Sequence, residues 1–458
     1  MGRPRAYALL LSCQSPPEKS SPMDIQGSLH FLREINPVQS YGKVSKVVGL
    51  IVEGYGMKAP LGAVCDLIVD ERTGQSISAE VVGFRDEVVL FMPYGDLRGI
   101  KPGSLIKNKA TPPLFPVGQR YLGRTVDSFG HPLDDQGEIK PQRYYPLYSQ
   151  PINPLERPRV TQPLDVGIRA INGLLTLGKG QRVGIMAGSG VGKTTLMGMV
   201  ARFTKAEVNV IALVGERGRE VLEFIESSLG PEGMARSVVI VATSDQSPLV
   251  RMRAAYAATA MAEFFRDQGQ DVILMMDSVT RFAMALREVG LAAGEPPATR
   301  GYTPSVFNQL PKLLERAGQS RSGSITGIYT VLVEGDDMNE PVADAVRSIL
   351  DGHIVLDRTL ADQGHYPSID VLQSVSRLRS DVTDQDVQAA GNRLLSALAT
   401  YKRVEDMVNI GAYVRGNNPE IDAALDLMTP IRQYLAQKVD ENEPLTQSWK
   451  RLQALMQA

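Results

Sequence analysis

The sequence predicts an α/β fold: a mostly parallel sheet covered by helices on both faces, with a small β-barrel before it and a helical domain after it. Three observations predict it. Short β-branched runs separated by glycine turns fill residues 42–105. Strand-like and helix-like segments alternate from 160 to 379. Beyond Ser380 only helical periodicity remains.

Residues 1–22 carry Arg3 and Arg5 ahead of a very short apolar core, and then a polar, turn-like stretch from Ser15 to Pro22. That is too little for a secretory signal. The expectation is a disordered tail, or an upstream start with Met23 as the true first residue. In the next domain, 23–111, the runs 43–52, 65–69, 78–84 and 87–92 read as strands of the barrel. Prolines recur from Pro112 to Pro158, so 112–159 is expected to be an irregular connection, with turns at Gly130 and Gly137.

In 160–379 the runs 182–186, 208–214, 237–243, 272–276 and 325–332 are apolar enough to be buried strands. Helices are predicted over 193–203 and 248–268, the second with Ser247 as N-cap and Pro248 in the first turn. In 380–458, Thr383 and Asp386 suggest a capping box. Val387, Leu394, Leu398, Tyr401, Val404 and Val408 follow at helical steps; Gly411 and Gly416 break them, and a second amphipathic run covers 421–437.

Composition removes several function classes. The net charge is −2, without the Lys/Arg surplus a dedicated nucleic-acid binder uses against phosphates. Cys13 and Cys65 make no disulfide framework, which suits a reducing cytoplasm, and His30, His131, His353 and His365 are scattered. No apolar stretch approaches the roughly 20 residues that span a bilayer.

The chemistry begins at 187–194, where Ala187 is followed by Gly188, Ser189, Gly190, Val191, Gly192, Lys193 and Thr194. A strand precedes this run and a helix follows it, the context of a phosphate-binding loop. The glycines let backbone N–H groups turn inward, and the helix N-terminus adds partial positive charge. Lys193 is expected on the β/γ phosphates and the Thr194 hydroxyl on Mg²⁺; residues 188–194 and Thr195 are the expected nucleotide contacts. The first position is Ala187 rather than glycine. Asp277 ends a predicted buried strand, where Mg²⁺ of a bound nucleotide is held. Hydrolysis also needs a group to orient or deprotonate water. Glu216, after the strand 208–214, is the best placed, although Glu216 and Glu220 equally fit the acidic first turn of a helix.

The loop, the run Gly215-Glu216-Arg217 and the segment 367–377 together resemble the rotary-ATPase family, whose members include the F-type ATP synthase catalytic subunits. Segments 334–344, 351–356 and 294–302 are similar to the type III export ATPases, the flagellum-specific branch above all, with the injectisome secretion ATPases as the alternative within that group. The resemblance covers the chain from about residue 42 onward and implies a central RecA-like P-loop ATPase domain. It implies that Glu216 positions the attacking water with Arg217 beside it, that Asp277 serves the Mg²⁺ site and that Arg281 belongs to the active site. It further implies that Tyr366 stacks on adenine and that Arg377 is an arginine finger for a neighbouring subunit. Because Glu216 and Arg377 share one chain, a homohexamer with equivalent sites is expected.

By resemblance, the expected partners are export-gate membrane proteins, export substrates with their chaperones, a regulator at the N-terminal region, and a coiled-coil stalk in a pore lined by 294–304. The expected location is the cytoplasm, peripheral at the inner membrane. Three alternatives stand beside the export reading: a rotary subunit of an ATP synthase or ion pump, an RNA translocase, and a regulatory nucleotide sensor. The translocase needs exposed aromatics among basic residues on its barrel, and 42–105 lacks that pattern.

Overall fold

A computed structural model describes residues 41–109, 112–333, 335 and 337–457. The expectation for 1–22 lies outside the described residues. β1 (Tyr41–Val48), β2 (Ile51–Tyr55), β3 (Val64–Asp70), β4 (Gln75–Arg85), β5 (Val88–Pro93) and β6 (Leu105–Asn108) close a barrel in the order β1-β2-β5-β4-β3-β6. The run 43–52, expected as one strand, is a hairpin: Gly49 turns at φ +57, a conformation glycine adopts without steric cost. Val52, Leu67, Phe91 and Ile106 fill the barrel as alternate residues of their strands. Cys65 is buried there too, and burial pushes its thiol up to about 12.

The segment 112–159 is less irregular than its prolines predict. β7 (Leu114–Val117) pairs with β9 (Arg143–Pro146) as a separate ribbon, and β8 (Arg124–Asp127) between them leaves for the large sheet. Pro116 and Pro146 sit in a two-stranded ribbon, where each strand has a free side and a missing N–H costs little. β10 (Pro163–Leu164) and β11 (Leu177–Gly178) form a further small pair.

The large sheet contains β12 (Arg182–Ala187), β13 (Val208–Glu216), β14 (Ser237–Thr243), β15 (Asp271–Asp277), β16 (Gly318–Gln319), β17 (Ser324–Leu332), β18 (Gly352–Leu356) and β19 (Ile369–Ser376). Its order is β19-β18-β12-β17-β15-β13-β14-β8, with β16 against β17. The main ladder is parallel except at β19. Parallel strands carry helices on both faces, which explains the unbroken apolar runs. Ser247 caps the helix Pro248–Asp267 by accepting from the Val250 N–H.

A polar knot ties the barrel to this domain. Buried Glu80 of β4 accepts from the hydroxyls of Tyr94 (2.7 Å) and Tyr148 (3.0 Å). Arg253, on the helix Pro248–Asp267, lies over the Tyr94 ring.

Three helices finish the chain: Gln385–Asn409, Pro419–Leu435 and Leu445–Gln457. The capping box does not form. Thr383 donates its hydroxyl back to the Arg379 carbonyl (2.6 Å), and the helix begins after Asp384. Val387 and Leu394 are buried, whereas Leu398, Tyr401, Val404 and Val408 are half-buried. Among the described residues no helix is long and apolar enough to cross a membrane.

Candidate active site

The loop leaves β12 at the C-terminal edge of the sheet. Gly190 and Gly192 have φ of +79° and +93°, the turn that lets the following N–H groups face one point. Helix Lys193–Phe203 starts directly after Gly192. β15 and β13 end at the same edge and deliver Asp277 and Glu216.

Charge is concentrated at this point. Lys193 Nζ lies 2.5 Å from Asp277 Oδ1 and 3.8 Å from Glu216 Oε1. Thr330 of β17 donates its hydroxyl to the same Asp277 oxygen (2.7 Å), fixing that carboxylate. Burial raises the Glu216 carboxyl to about 7, the negative charge of Asp277 adds to the rise, and Lys193 opposes it. Glu220 hydrogen-bonds Glu216 and is held below the ordinary value, chiefly by that bond. Glu216 is thus the last residue of a buried strand, and of the two only Glu220 lies in the helical turn.

Oxygen donors at Thr194 and Asp277 suit Mg²⁺, which takes few protein ligands and draws the rest from phosphate and water.

Tyr366 comes to the loop from the far end of the domain. A Cβ on Gly192 would stand 3.7 Å from its ring, which is 47% exposed. Ring and loop line a cavity of about 800 Å³ with Val191, Thr195 and Gln433. Ser368 steadies this wall by donating to the Val191 carbonyl (2.6 Å), and Arg358 donates to the Ser189 carbonyl (3.0 Å). Arg281 packs its stem on Gly215, where an added Cβ would meet it at 3.0 Å.

Two predicted residues stay outside the cluster. The Arg217 side chain is 74% exposed and holds Glu220 (2.8 Å). Arg377 is exposed just past β19, and its N–H donates to the Asp351 carbonyl (3.0 Å). Asp351 in turn accepts from the N–H of Arg182, the first residue of β12. Arg377 therefore sits at the sheet edge opposite the loop. The loop 294–304 is largely exposed after helix Val279–Ala293. Sequence reasoning missed Thr330, Ser368, Arg358 and Gln433, because no local pattern marks a hydroxyl or amide that acts on a residue distant in the chain.

The model described as the ATP synthase alpha/beta family, nucleotide-binding domain, matches residues 167–376, and the β-barrel domain of that family matches 44–109. The T3SS EscN ATPase C-terminal domain matches 383–454. The flagellum-specific ATP synthase of Bacillus subtilis is 51% identical over 435 residues, 94% of this chain and 99% of that one. The chain belongs to the ATP synthase alpha/beta family, in its type III export branch. The type 3 secretion system ATPase of Xanthomonas euvesicatoria is 50% identical over 402 residues, 88% of this chain and 90% of the other. The assembled ATPase EscN of enteropathogenic E. coli superimposes with a TM-score of 0.86 at 42% identity, covering 91% of this chain and all of that one. The chain is accordingly a Mg²⁺-dependent ATPase of type III export.

Proposed function

We propose that this ATPase works as a homohexameric ring that energises flagellar protein export, each site being completed by Arg377 of a neighbouring copy. The observation that carries the reading is the separation of Arg377 from the loop. The strand between them has six residues, so at about 3.3 Å per residue they lie roughly 20 Å apart. One chain holds both halves of a site that it cannot close alone, and a ring of identical copies closes every site. The description of EscN as an assembled ATPase, and of a second structure as its complex with the central stalk EscO, supports the ring and a stalk partner.

In this reading the N–H groups of residues 188–193 and the Lys193 ammonium bind and orient the β and γ phosphates. Phosphate oxygens compete with Asp277 for Lys193. Thr194 and Asp277 would hold Mg²⁺, whose charge neutralises the transferring phosphoryl group. Glu216, once deprotonated, orients the attacking water and accepts its proton, and Glu220 accepts the bond from Glu216 in the protonated state. Arg281 props the end of β13 against Gly215, Tyr366 stacks on adenine, and Arg217 orients Glu220. Arg377 from the neighbour offsets charge on the transferring group, an effect of roughly 10³–10⁵ in rate.

The remaining partners follow the family. The C-terminal helices contact the export gate and chaperoned substrates, a regulator binds the N-terminal region, and 294–304 faces the stalk. The protein is cytoplasmic, peripheral at the membrane, and does not act on nucleic acid. The near-equal identity to the Xanthomonas enzyme keeps an injectisome role as the second reading. Pull-down from the native cell with Glu216→Gln decides between them: flagellar export components support the first reading, injectisome components the second, and ATP synthase subunits would sink both.

A further inference from the structure

The segment 436–443, between the helices Pro419–Leu435 and Leu445–Gln457, runs along the wall of the nucleotide cavity as a strap. Its hub is Gln437, 6% exposed. The Gln437 N–H donates to the carbonyl of Tyr366 (2.9 Å). Its side chain is fully engaged elsewhere. Oε1 accepts from the Arg169 N–H (2.7 Å), and Nε2 donates to the carbonyls of Gly167 (2.8 Å) and Glu441. The buried Arg169 guanidinium pairs with Glu441 and Glu443, which holds the rest of the strap.

The knot continues into the last helix. Trp449 Nε1 donates to the carbonyl of Asn172 (2.9 Å), and the Asn172 amide donates to Asp165 and to the Glu443 carbonyl.

Both amide hydrogens of Gln437 are spent on the Gly167 and Glu441 carbonyls, and Oε1 already accepts the Arg169 N–H, so the side chain has no donor left to offer a base edge. Gln437 therefore lines the cavity without donating to a base, and its direct link to Tyr366 runs through the backbone. We propose that Gln437 is a positioning residue: it clasps the strap to the core, so that the placement of the C-terminal helices sets where the Tyr366 ring stands and hence how tightly nucleotide binds. The inference rests on the reading of Tyr366 as the base-facing ring. By linkage, a partner docked on those helices that changes nucleotide affinity has its own affinity changed by nucleotide to the same factor.

The test uses the full chain and three readouts: KM and kcat for ATP, inhibition by pyrophosphate, and emission of Trp449, the chain's single tryptophan. Gln437→Ala is expected to raise KM for ATP about tenfold while kcat changes far less. Pyrophosphate, held by the loop alone, keeps its inhibition constant; ATP is expected to change Trp449 emission in the parent protein and not in this variant, and a parent without that change overturns the link to the last helix. Gln437→Glu keeps the acceptor for Arg169 and loses both donated bonds, so it falls between. An unchanged KM with the emission response intact overturns the proposal. So does a pyrophosphate constant that rises in step with KM, since that signals a general loosening of the site.

Tyr366→Ala separates the two levels. If it leaves KM unaltered, the base-ring reading fails and takes the clasp with it. If it raises KM and Gln437→Ala does not, the clasp alone is wrong. Should Gln437→Ala not fold, Glu441→Gln, at a side chain 38% exposed, loosens the same strap. It is expected to give a smaller rise in KM with pyrophosphate unchanged, and an unaltered KM there overturns the clasp.

Discussion

The two edges of the central sheet hold charge in opposite ways. At the loop edge, Lys193, Asp277 and Glu216 converge within hydrogen-bonding or ion-pair distance, and Thr330 and Glu220 complete their bonds. At the other edge Arg182 is gripped by Asp351 and Glu315, yet Arg377 beside them is exposed, with no ion pair from its guanidinium among the described residues. Arg377 adds its charge to the burial that holds the His353 imidazole below its usual value. The loop edge is internally satisfied and ready to exchange partners for a triphosphate. The far edge leaves the Arg377 guanidinium exposed, as the proposed service to another copy requires.

The largest effect that could break this contrast is Arg377→Ala. Turnover should fall by roughly 10³–10⁵ with nucleotide binding nearly intact, checked by steady-state hydrolysis and equilibrium binding. Hydrolysis at the normal rate would refute the shared site even though the loop is real. Mixing Arg377→Ala with Glu216→Gln sharpens the point: two inactive proteins should regain activity together, because some interfaces pair an intact glutamate with an intact arginine.

Next in size is Glu216→Gln, expected to lower kcat by about 10²–10⁴ while ATP still binds. In the parent protein kcat/KM should fall as pH drops below about 7, where Glu216 gains a proton and cannot accept one from water. Stability has the opposite sign. The folded value lies above the unfolded 4.5, so this group's contribution is present below 4.5 and is lost as pH rises through about 7. Melting curves of Glu216→Gln across that window should lack the loss, and curves identical to the parent's would contradict the assignment.

At the far edge, Asp351→Ala removes two bonds from a largely buried guanidinium. It should cost about 3 kcal/mol of stability in a denaturant titration, because Glu315 alone remains to balance the charge. The smallest effect is that of Arg217→Ala. Its pair with Glu220 is exposed on the arginine side, so stability should move by less than about 0.5 kcal/mol in the same titration. Turnover should fall far less than in Glu216→Gln. A loss equal to that of Glu216→Gln would mean that Arg217 reaches the reacting group itself.

Much of the loop edge was legible in the sequence. The loop, its strand and helix, Asp277 at the end of β15 and Glu216 at the end of β13 all lie within short local patterns. The far edge was not. Nothing local distinguishes Arg377 from an ordinary surface arginine, and only the resemblance to a family gave it a role. The proline-rich segment was misleading in the same way. Its composition speaks against helices, but β8 joins the sheet through pairing with β14, about 110 residues further along the chain.

By itself the sequence determined what depends on neighbours along the chain. Glycines permit the φ of the loop, and apolar runs make buried strands that end in carboxylates. Tertiary structure decided what depends on contacts distant in sequence: Tyr366 against Gly192, Thr330 on Asp277, Gln437 beneath Tyr366, and Arg377 a sheet's width from Lys193. The physical reason is that backbone conformation and burial periodicity are set within a few residues. The partner of a buried polar group is set by whichever segment the packed core brings within about 3 Å of it.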